Sequence, residues 1–170
     1  MQLIMKTYVN SLITGKVLFM KIMKTGMLRF IGAVVLLAGA AGAAAQQTPN
    51  TLEGVTVVDA ARVQQMMASG AVVYDTRVAA EYAEAHVKGA KSLTYKEKSA
   101  KNVNFDKTQD AFALDKLPTD KNAAVIFYCN AGDCWKSYKA SKLAVEAGYK
   151  RVHWFRGGLP EWRSKNLPVE

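Results

Sequence analysis

The 170-residue sequence has few of the residues that bind metals or build disulfide scaffolds, with only two cysteines and two histidines. Two cysteines are too few for a fold held together by several disulfides. Neither His86 nor His153 stands at a ligand-type spacing from the cysteines, so we expect no metal site and no cofactor. Both cysteines, Cys129 and Cys134, lie in one short stretch, FYCNAGDCWKS, where the chemistry is therefore expected.

The first 45 residues contain no aspartate or glutamate, and they carry five basic residues before an apolar run from Phe30 to Ala45. This combination predicts a secretory signal cleaved after Ala45, and hence a periplasmic or secreted protein. The run of 16 residues is shorter than the roughly 20 that a spanning helix needs, so no stable membrane insertion is expected after cleavage. The stretch before the run is long for a signal, and residues 1–19 are interpreted as a misassigned start or a tail.

Removal of this segment changes the charge of the protein. The whole chain has 23 basic and 14 acidic residues, a net charge of +9, whereas residues 46–170 keep 18 basic residues and a net charge of +4. These basic residues are scattered rather than clustered with aromatic residues, which argues against nucleic-acid binding. The remaining length suits one compact domain, and we expect a monomer.

Apolar runs and helical patterns alternate along the rest of the chain. Residues 46–54 are interpreted as a flexible lead-in and residues 55–170 as the folded domain. Strands are predicted at VTVV, AVVYDTR, GAKSLTY, AAVIFYC and RVHWF, with helical patterns between them. This order predicts an α/β domain around a mostly parallel sheet. Residues 96–122 are interpreted as a loop with a short helix, the run 95–107 as a solvated face, and His153 as surface-facing.

The cysteine loop lies where a predicted buried strand leads into a predicted helix. Cys129 closes the AAVIFYC strand, and a helix is expected to begin near Lys136 or Ser137. Main-chain N–H groups in such a loop, together with the start of a helix, lower the pKa of a thiol and hold an anion beside it. Gly132 suits a tight turn or a close approach to a ligand. The alternative is that Cys129 is only a small buried apolar residue.

Three segments, taken in order, resemble the rhodanese-like sulfurtransferases. They are VVYDTRVAAEYAEAHVKGA with Asp75, Arg77, Glu81, Tyr82, His86, Gly89 and Ala90; FYC with Cys129 and Gly132; and RVHWFRGGLPEW with Gly157, Gly158 and Trp162. The resemblance implies a five-stranded, mostly parallel sheet flanked by helices. It also implies transfer of a sulfane sulfur from a small anionic donor such as thiosulfate to a thiol or cyanide-like acceptor, which includes a protein thiol.

The resemblance also implies a role for each site residue. Cys129 would be the nucleophile that carries the sulfur as a persulfide. The donor would be bound by the loop and by the residue before the Gly-Gly pair, that is by Asn130, Ala131, Gly132, Asp133, Cys134, Trp135, Lys136 and Arg156. Structural roles are expected for Asp75 and Arg77, as an ion pair, and for His86, as a backbone hydrogen-bonding residue at a turn.

The loop departs from the common pattern of the family. Cys134 stands where the family places an arginine, and the cation is Lys136, two positions later in a longer loop with a Cys-Trp pair like that of a periplasmic subset. Lysine lacks the planar fork that grips an oxyanion, and Asp133 offsets its charge, so thiosulfate is predicted to be a poor donor. Cys134 either resolves or caps Cys129 or packs under Trp135. Two other functions stay open, a thiol–disulfide redox protein and a non-catalytic binding module.

Overall fold

Five parallel strands form one sheet in the computed structural model, which describes residues 46–170. The predicted signal segment, residues 1–45, lies outside the described residues. The strands are β1 (Val55–Val57), β2 (Val72–Asp75), β3 (Lys91–Ser92), β4 (Val125–Tyr128) and β5 (Val152–Phe155), and their order in the sheet is β1-β5-β4-β2-β3. The expected fold of a parallel sheet flanked by helices is confirmed. In the part of the chain described here, no helix is both long and apolar enough to span a bilayer.

Four helices flank the sheet within the described residues, three of them between strands and one after β5, and local sequence signals set their ends. They are α1 (Ala60–Ala68), α2 (Ala79–Glu84), α3 (Trp135–Glu146) and α4 (Gly158–Ser164). The carboxylate of Asp59 accepts a hydrogen bond from the amide of Arg62 at 2.8 Å, which caps the first turn of α1. Gly70 ends the same helix region with a φ of 87°, in the left-handed conformation that glycine adopts without strain.

The central strand β4 is covered on both faces, as its continuous apolar run predicted. Ile126 and Tyr128 pack in the layer that contains α1 and α4, whereas Val125 and Phe127 pack in the layer that contains α3. Successive side chains of a strand point to opposite faces, so four consecutive apolar residues supply both layers. This double burial fixes β4 in the middle of the sheet, and it fixes the point at which the cysteine loop leaves.

Residues 96–122 differ from the expectation of a loop with one short helix. Two 3-10 turns occur there, at Lys107–Gln109 and Leu114–Lys116. The interpretation of residues 95–107 as a solvated face holds for most of the run but is wrong for Tyr95 and Ser99, which are buried. Ser99 and Glu97 bind the ammonium group of the fully buried Lys139, each through an oxygen 2.8 Å from Nζ. A buried cation needs such partners, and these contacts hold the polar segment of Glu97 and Ser99 against α3.

Candidate active site

Cys129 directly follows β4, at the carboxyl edge of the sheet. Its side chain is buried, and its carbonyl oxygen accepts a hydrogen bond from the amide of Leu159 at 3.1 Å. Gly158 has a φ of 59°, and a Cβ atom there would overlap the carbonyl oxygen of Cys129. The second glycine of the Gly-Gly pair is therefore required because the backbone of α4 approaches the cysteine loop closely.

The loop turns through one short 3-10 segment, Ala131–Asp133, before α3 begins at Trp135. Ala131 adopts a left-handed φ of 65°, which is uncommon for a residue with a side chain. Within residues 46–170, the amides of Asn130, Ala131 and Gly132 donate to no acceptor. The first turn of α3 has no side-chain cap, so its N–H groups add to this set. Such an arrangement favours an anion beside the cysteine.

The two cysteines of the loop are joined by a disulfide. Their Cα atoms are 6.1 Å apart, and five positions separate them in the sequence. The structure is therefore the oxidised form, in which the sulfur of Cys129 is bonded to Cys134 and does not titrate. A nucleophilic thiolate exists only after this bond has been reduced.

Residues from the predicted flexible lead-in lie directly on the cysteine loop. Thr48 is 3 % exposed, and both its amide and its hydroxyl donate to the carbonyl oxygen of Gly132, at 2.8 and 2.6 Å. The indole N–H of Trp135 donates to the carbonyl oxygen of Gln46 at 2.7 Å. These contacts give the lead-in a specific place against the loop, which its composition did not indicate.

Arg156 follows β5, and its guanidinium group lies beside Gly132. A Cβ atom on Gly132 would come within 2.7 Å of the guanidinium carbon. Nε of Arg156 donates to the hydroxyl of Thr48 at 3.2 Å and to the carbonyl of Pro49 at 3.1 Å, while Nη2 donates to the carbonyl of Thr48 at 2.9 Å. The side chain predicted to bind a substrate anion thus binds the lead-in in this structure.

A buried ion pair occupies the end of the neighbouring strand, β2. Arg77 donates to both oxygens of Asp75, with a closest distance of 2.6 Å, and also to the carbonyl of Ala85. The hydroxyl of Tyr128 donates to Asp75 at 2.6 Å. Burial alone would lower the pKa of Arg77, but the hydrogen bonds and the charge of Asp75 outweigh it and raise that pKa. The geometry is that of an internally satisfied structural pair.

The two histidines lie away from the cysteine loop. His86 Nδ1 is 2.9 Å from the carbonyl oxygen of Tyr82, and the His86 backbone pairs with that of Glu170. The expectation that His153 faces solvent is wrong, because within the described residues both of its ring nitrogens are buried and lack hydrogen-bond partners. Burial, followed by the charges of Arg151 and Arg62, lowers the pKa of His153.

A pocket of about 390 Å³ opens beside the loop, on the side of Asn130. The amide of the Asn130 side chain donates to Glu81, which fixes one wall of the pocket. Arg163 and Glu84 add charges of both signs. The pocket is lined by Arg77, Glu81, Glu84, Ala85, Asn130, Leu159, Pro160 and Arg163. Glu81 belonged to the recognised motif, whereas nothing in the sequence pointed to Arg163 or to Thr48 as neighbours of the site.

Comparison with known proteins identifies the class that this fold and loop define. A family model described as "Rhodanese-like domain" matches residues 59–165, so the chain belongs to the rhodanese-like family.

Three individual proteins of known name or structure share only 20–34% sequence identity with this chain. A protein of Allochromatium vinosum named "Sulfurtransferase" is 34% identical over 56 residues, which are 33% of this chain and 49% of the relative, so the match spans about half of that protein. A crystal structure of a Bacillus halodurans protein superposes with a TM-score of 0.50 at 24% identity, covering 68% of this chain and 76% of the other. The crystal structure of a thiosulfate sulfurtransferase from Pseudomonas aeruginosa superposes with a TM-score of 0.51 at 20% identity, covering 68% of this chain and 20% of the other. These structural similarities support the fold.

Proposed function

We propose that this protein is an exported, monomeric sulfurtransferase that carries a sulfane sulfur as a persulfide on Cys129. In the first step, the Cys129 thiolate attacks the outer sulfur of a donor such as thiosulfate. The sulfur–sulfur bond of the donor breaks, and sulfite leaves with the electron pair. In the second step, an acceptor thiolate or cyanide attacks the terminal sulfur of the persulfide and releases the Cys129 thiolate. Two such displacements through a covalent intermediate replace one difficult transfer.

One observation carries this proposal. Cys129 lies at the carboxyl edge of β4, and the next three amides, those of Asn130, Ala131 and Gly132, have no acceptor within residues 46–170. Ligands of parallel α/β sheets bind at this edge. Amides without internal partners, next to the start of α3, stabilise both a thiolate and the anionic end of a donor. Membership of the rhodanese-like family and the Allochromatium relative agree with this chemistry.

Cys134 has a role in the same cycle as a resolving thiol. Its thiolate attacks the inner sulfur of the Cys129 persulfide, hydrosulfide leaves, and the Cys129–Cys134 disulfide forms. A dithiol or two monothiols then supply the two electrons that reopen the bond. The proximity of the two cysteines, with Cα atoms 6.1 Å apart, supports this step. The disulfide would thus be the resting form in an oxidising compartment.

The donor is proposed to be a small anion that the loop amides and Lys136 bind together. Lys136 is a single point charge in a loop that also carries Asp133, so a donor with less charge than thiosulfate is expected to react better. The pocket beside Asn130 is large enough for a small acceptor thiol.

The test is the formation of a sulfur adduct. Reduced protein is incubated with thiosulfate, and separately with a persulfide donor, and its intact mass is then measured. We expect a stable increase of one sulfur in Cys134→Ser, release of hydrosulfide with re-formation of the Cys129–Cys134 disulfide in the wild type, and neither result in Cys129→Ser. The absence of an adduct with every donor would reject the sulfurtransferase proposal and favour a binding module that keeps the fold without the chemistry.

The disulfide itself favours a second candidate, a thiol–disulfide redox protein. Such a protein would use both cysteines to oxidise or reduce a dithiol substrate. Its spacing, with four residues between the cysteines, differs from the usual Cys-x-x-Cys. Turnover of a dithiol substrate that is lost in both Cys129→Ser and Cys134→Ser, without any sulfur adduct, would favour this candidate over sulfur transfer.

A further inference from the structure

The strongest unassigned feature is the segment Gln46 to Pro49, which lies across the cysteine loop. The sequence gives it the composition of a flexible lead-in, yet Thr48 is 3 % exposed and its contacts reach residues more than 80 positions away. We propose that this segment is a strap that fixes the backbone of the cysteine loop around Cys129, and that Arg156 is the positioning residue that fastens the strap. Its effect on sulfur transfer rests on the proposed function, whereas its effect on the Cys129 thiol does not.

The strap acts on the loop through the carbonyl of Gly132. Two hydrogen bonds from Thr48 end on this one oxygen, at 2.8 and 2.6 Å. Because the peptide bond is planar and trans, a fixed carbonyl also fixes the next N–H, that of Asp133, pointing away from the strap. Thr48 therefore sets the orientation of a peptide in the middle of the loop that surrounds Cys129.

Arg156 holds the strap from the other side. Its guanidinium makes three hydrogen bonds of 2.9 to 3.2 Å to Thr48 and Pro49, and it fits against Gly132 because that residue has no side chain. Hydrogen bonds from a charged donor are stronger than those between neutral groups. Because the guanidinium group is bound to the strap, its main effect is expected to be on the conformation of the cysteine loop.

Trp135 completes the attachment at the end of the loop. Its indole N–H binds the carbonyl of Gln46 at 2.7 Å, and its ring packs edge-on against Tyr138 at 5.1 Å between centroids. The strap is thus held at Gln46, at Thr48 and at Pro49, on both sides of the cysteine loop. Signal cleavage after Ala45, as predicted, would make Gln46 the first residue of the mature protein and leave the strap complete.

The experiment measures the reactivity of the Cys129 thiol in a Cys134→Ser background, in which no disulfide forms. The rate of alkylation by iodoacetamide is followed as a function of pH, which gives the pKa of the thiol. Thr48→Val removes the hydroxyl but keeps the size of the side chain, and Arg156→Gln removes the charge. Thr51→Val is the matched control, because Thr51 lies in the same lead-in and is exposed.

We expect Thr48→Val and Arg156→Gln each to slow alkylation at neutral pH by roughly fivefold to tenfold through a raised thiol pKa, as the loss of about one hydrogen bond implies. Because both residues act through the strap, the double variant is expected to be little slower than either single variant. Thr48→Ser, which keeps the hydroxyl, is expected to recover most of the rate lost in Thr48→Val. Thr51→Val should match the parent protein.

Two results would overturn the proposal. One is an unchanged alkylation profile in both Thr48→Val and Arg156→Gln when urea unfolding shows both variants to be folded. The other is an effect of Arg156→Gln only on the KM for anionic donors while Thr48→Val behaves like the parent, which is the pattern of a residue that binds substrate directly. If no sulfur adduct ever forms but alkylation responds as expected, the strap stands and the sulfurtransferase proposal falls.

Discussion

The turns that leave β2 and β4 begin at the same edge of the sheet, on neighbouring strands, but they treat their polar groups in opposite ways. After β2, Asp75 and Arg77 are buried, and each satisfies the other with help from Tyr128. After β4, the amides of Asn130 and its two successors have no acceptor within the described residues. The charged groups of the first turn are thus paired with each other, although Arg77 also lines the pocket beside Asn130, whereas the amides of the second turn can donate to a ligand.

The paired and unpaired polar groups distinguish a turn that stabilises the fold from a turn that can take part in chemistry. The amino-acid sequences of the two turns do not make this distinction. Both turns contain charged residues, and composition alone does not distinguish a group that is paired within the protein from one that is not. A polar group that is already paired has little to offer a substrate, whereas an unpaired group beside a nucleophile stabilises developing charge. Variants on the two turns are therefore expected to fail in different assays.

The largest expected effect is the loss of Cys129, the nucleophile of the proposed reaction. Cys129→Ser should abolish the sulfur adduct completely, because a serine hydroxyl does not ionise near neutral pH and forms no persulfide. Intact-mass measurement after incubation with a sulfane donor checks this. Cys134→Ser is the control within the same loop. An adduct that required Cys134 and not Cys129 would contradict the assignment of Cys129 as the nucleophile.

A variant in the turn after β2 should lower the stability of the fold. Arg77→Ala leaves the carboxylate of Asp75 buried without its cation, and it should lower the free energy of unfolding by about 3–5 kcal/mol. Urea unfolding measures this loss. The exposed pair of Lys107 and Glu146, with Nζ and Oε2 2.7 Å apart, provides the comparison, since Lys107→Ala should cost at most about 1 kcal/mol. Equal losses in the two variants would contradict the structural role of the buried pair.

A third prediction concerns the contact between α4 and the cysteine loop. Gly158→Ala should destabilise the protein by about 2–4 kcal/mol, because it combines a left-handed φ with an overlap at the Cys129 carbonyl. Gly148→Ala is the matched control, with a φ of 90° and open space around the added atom, and it should cost only about 1–2 kcal/mol. Thermal unfolding of both variants measures the difference. If the two losses were the same, the close approach would have no energetic weight.

The smallest expected effect extends the comparison to the polar cluster around Lys139. Burial alone would raise the pKa of Asp110, but hydrogen bonds from the Ser99 side chain and amide, the Lys98 amide and Tyr95 outweigh it and lower the pKa from 3.8 to about 2. A depressed pKa means that the stabilisation is present above about pH 4 and is lost as the pH falls toward 2.

Asp110→Asn should therefore flatten the pH dependence of stability in that acidic range. Urea unfolding at several values between pH 2 and pH 5 tests this expectation. Asp106→Asn is not a neutral control, because hydrogen bonds from Thr108 and Gln109 also lower the pKa of Asp106. Asp115→Asn serves that purpose better, because Asp115 is exposed and no hydrogen bond to its side chain occurs within residues 46–170. A slope unchanged by Asp110→Asn would contradict the assignment.

Local patterns were sufficient to predict most of the fold. The apolar run of β4 acts over a few residues, and the strand lies where this run predicted. The Asp59 cap of α1 and the glycines at 70 and 148, which follow α1 and α3, are signals of the same local kind. The position of Cys129 followed from the same signals, because a buried strand followed by a helix places the connecting loop at the carboxyl edge of a parallel sheet.

Contacts between distant segments were not predictable in this way. Thr48 and Gly132 are 84 positions apart, and neither residue carries a local signal for their hydrogen bonds. Lys139 has the composition of an exposed helix face, yet Ser99 and Glu97, about 40 positions earlier, make its burial possible. Such pairs depend on where the finished sheet brings two segments together, and a single sequence contains no measure of that.

The lengths of the outermost strands affect the tendency of the protein to associate with other copies of itself. The sheet ends on one side with β3, which has two residues, and on the other with β1, which has three. Short borders offer few free backbone groups to a strand from another molecule, so they discourage self-association and fibril growth.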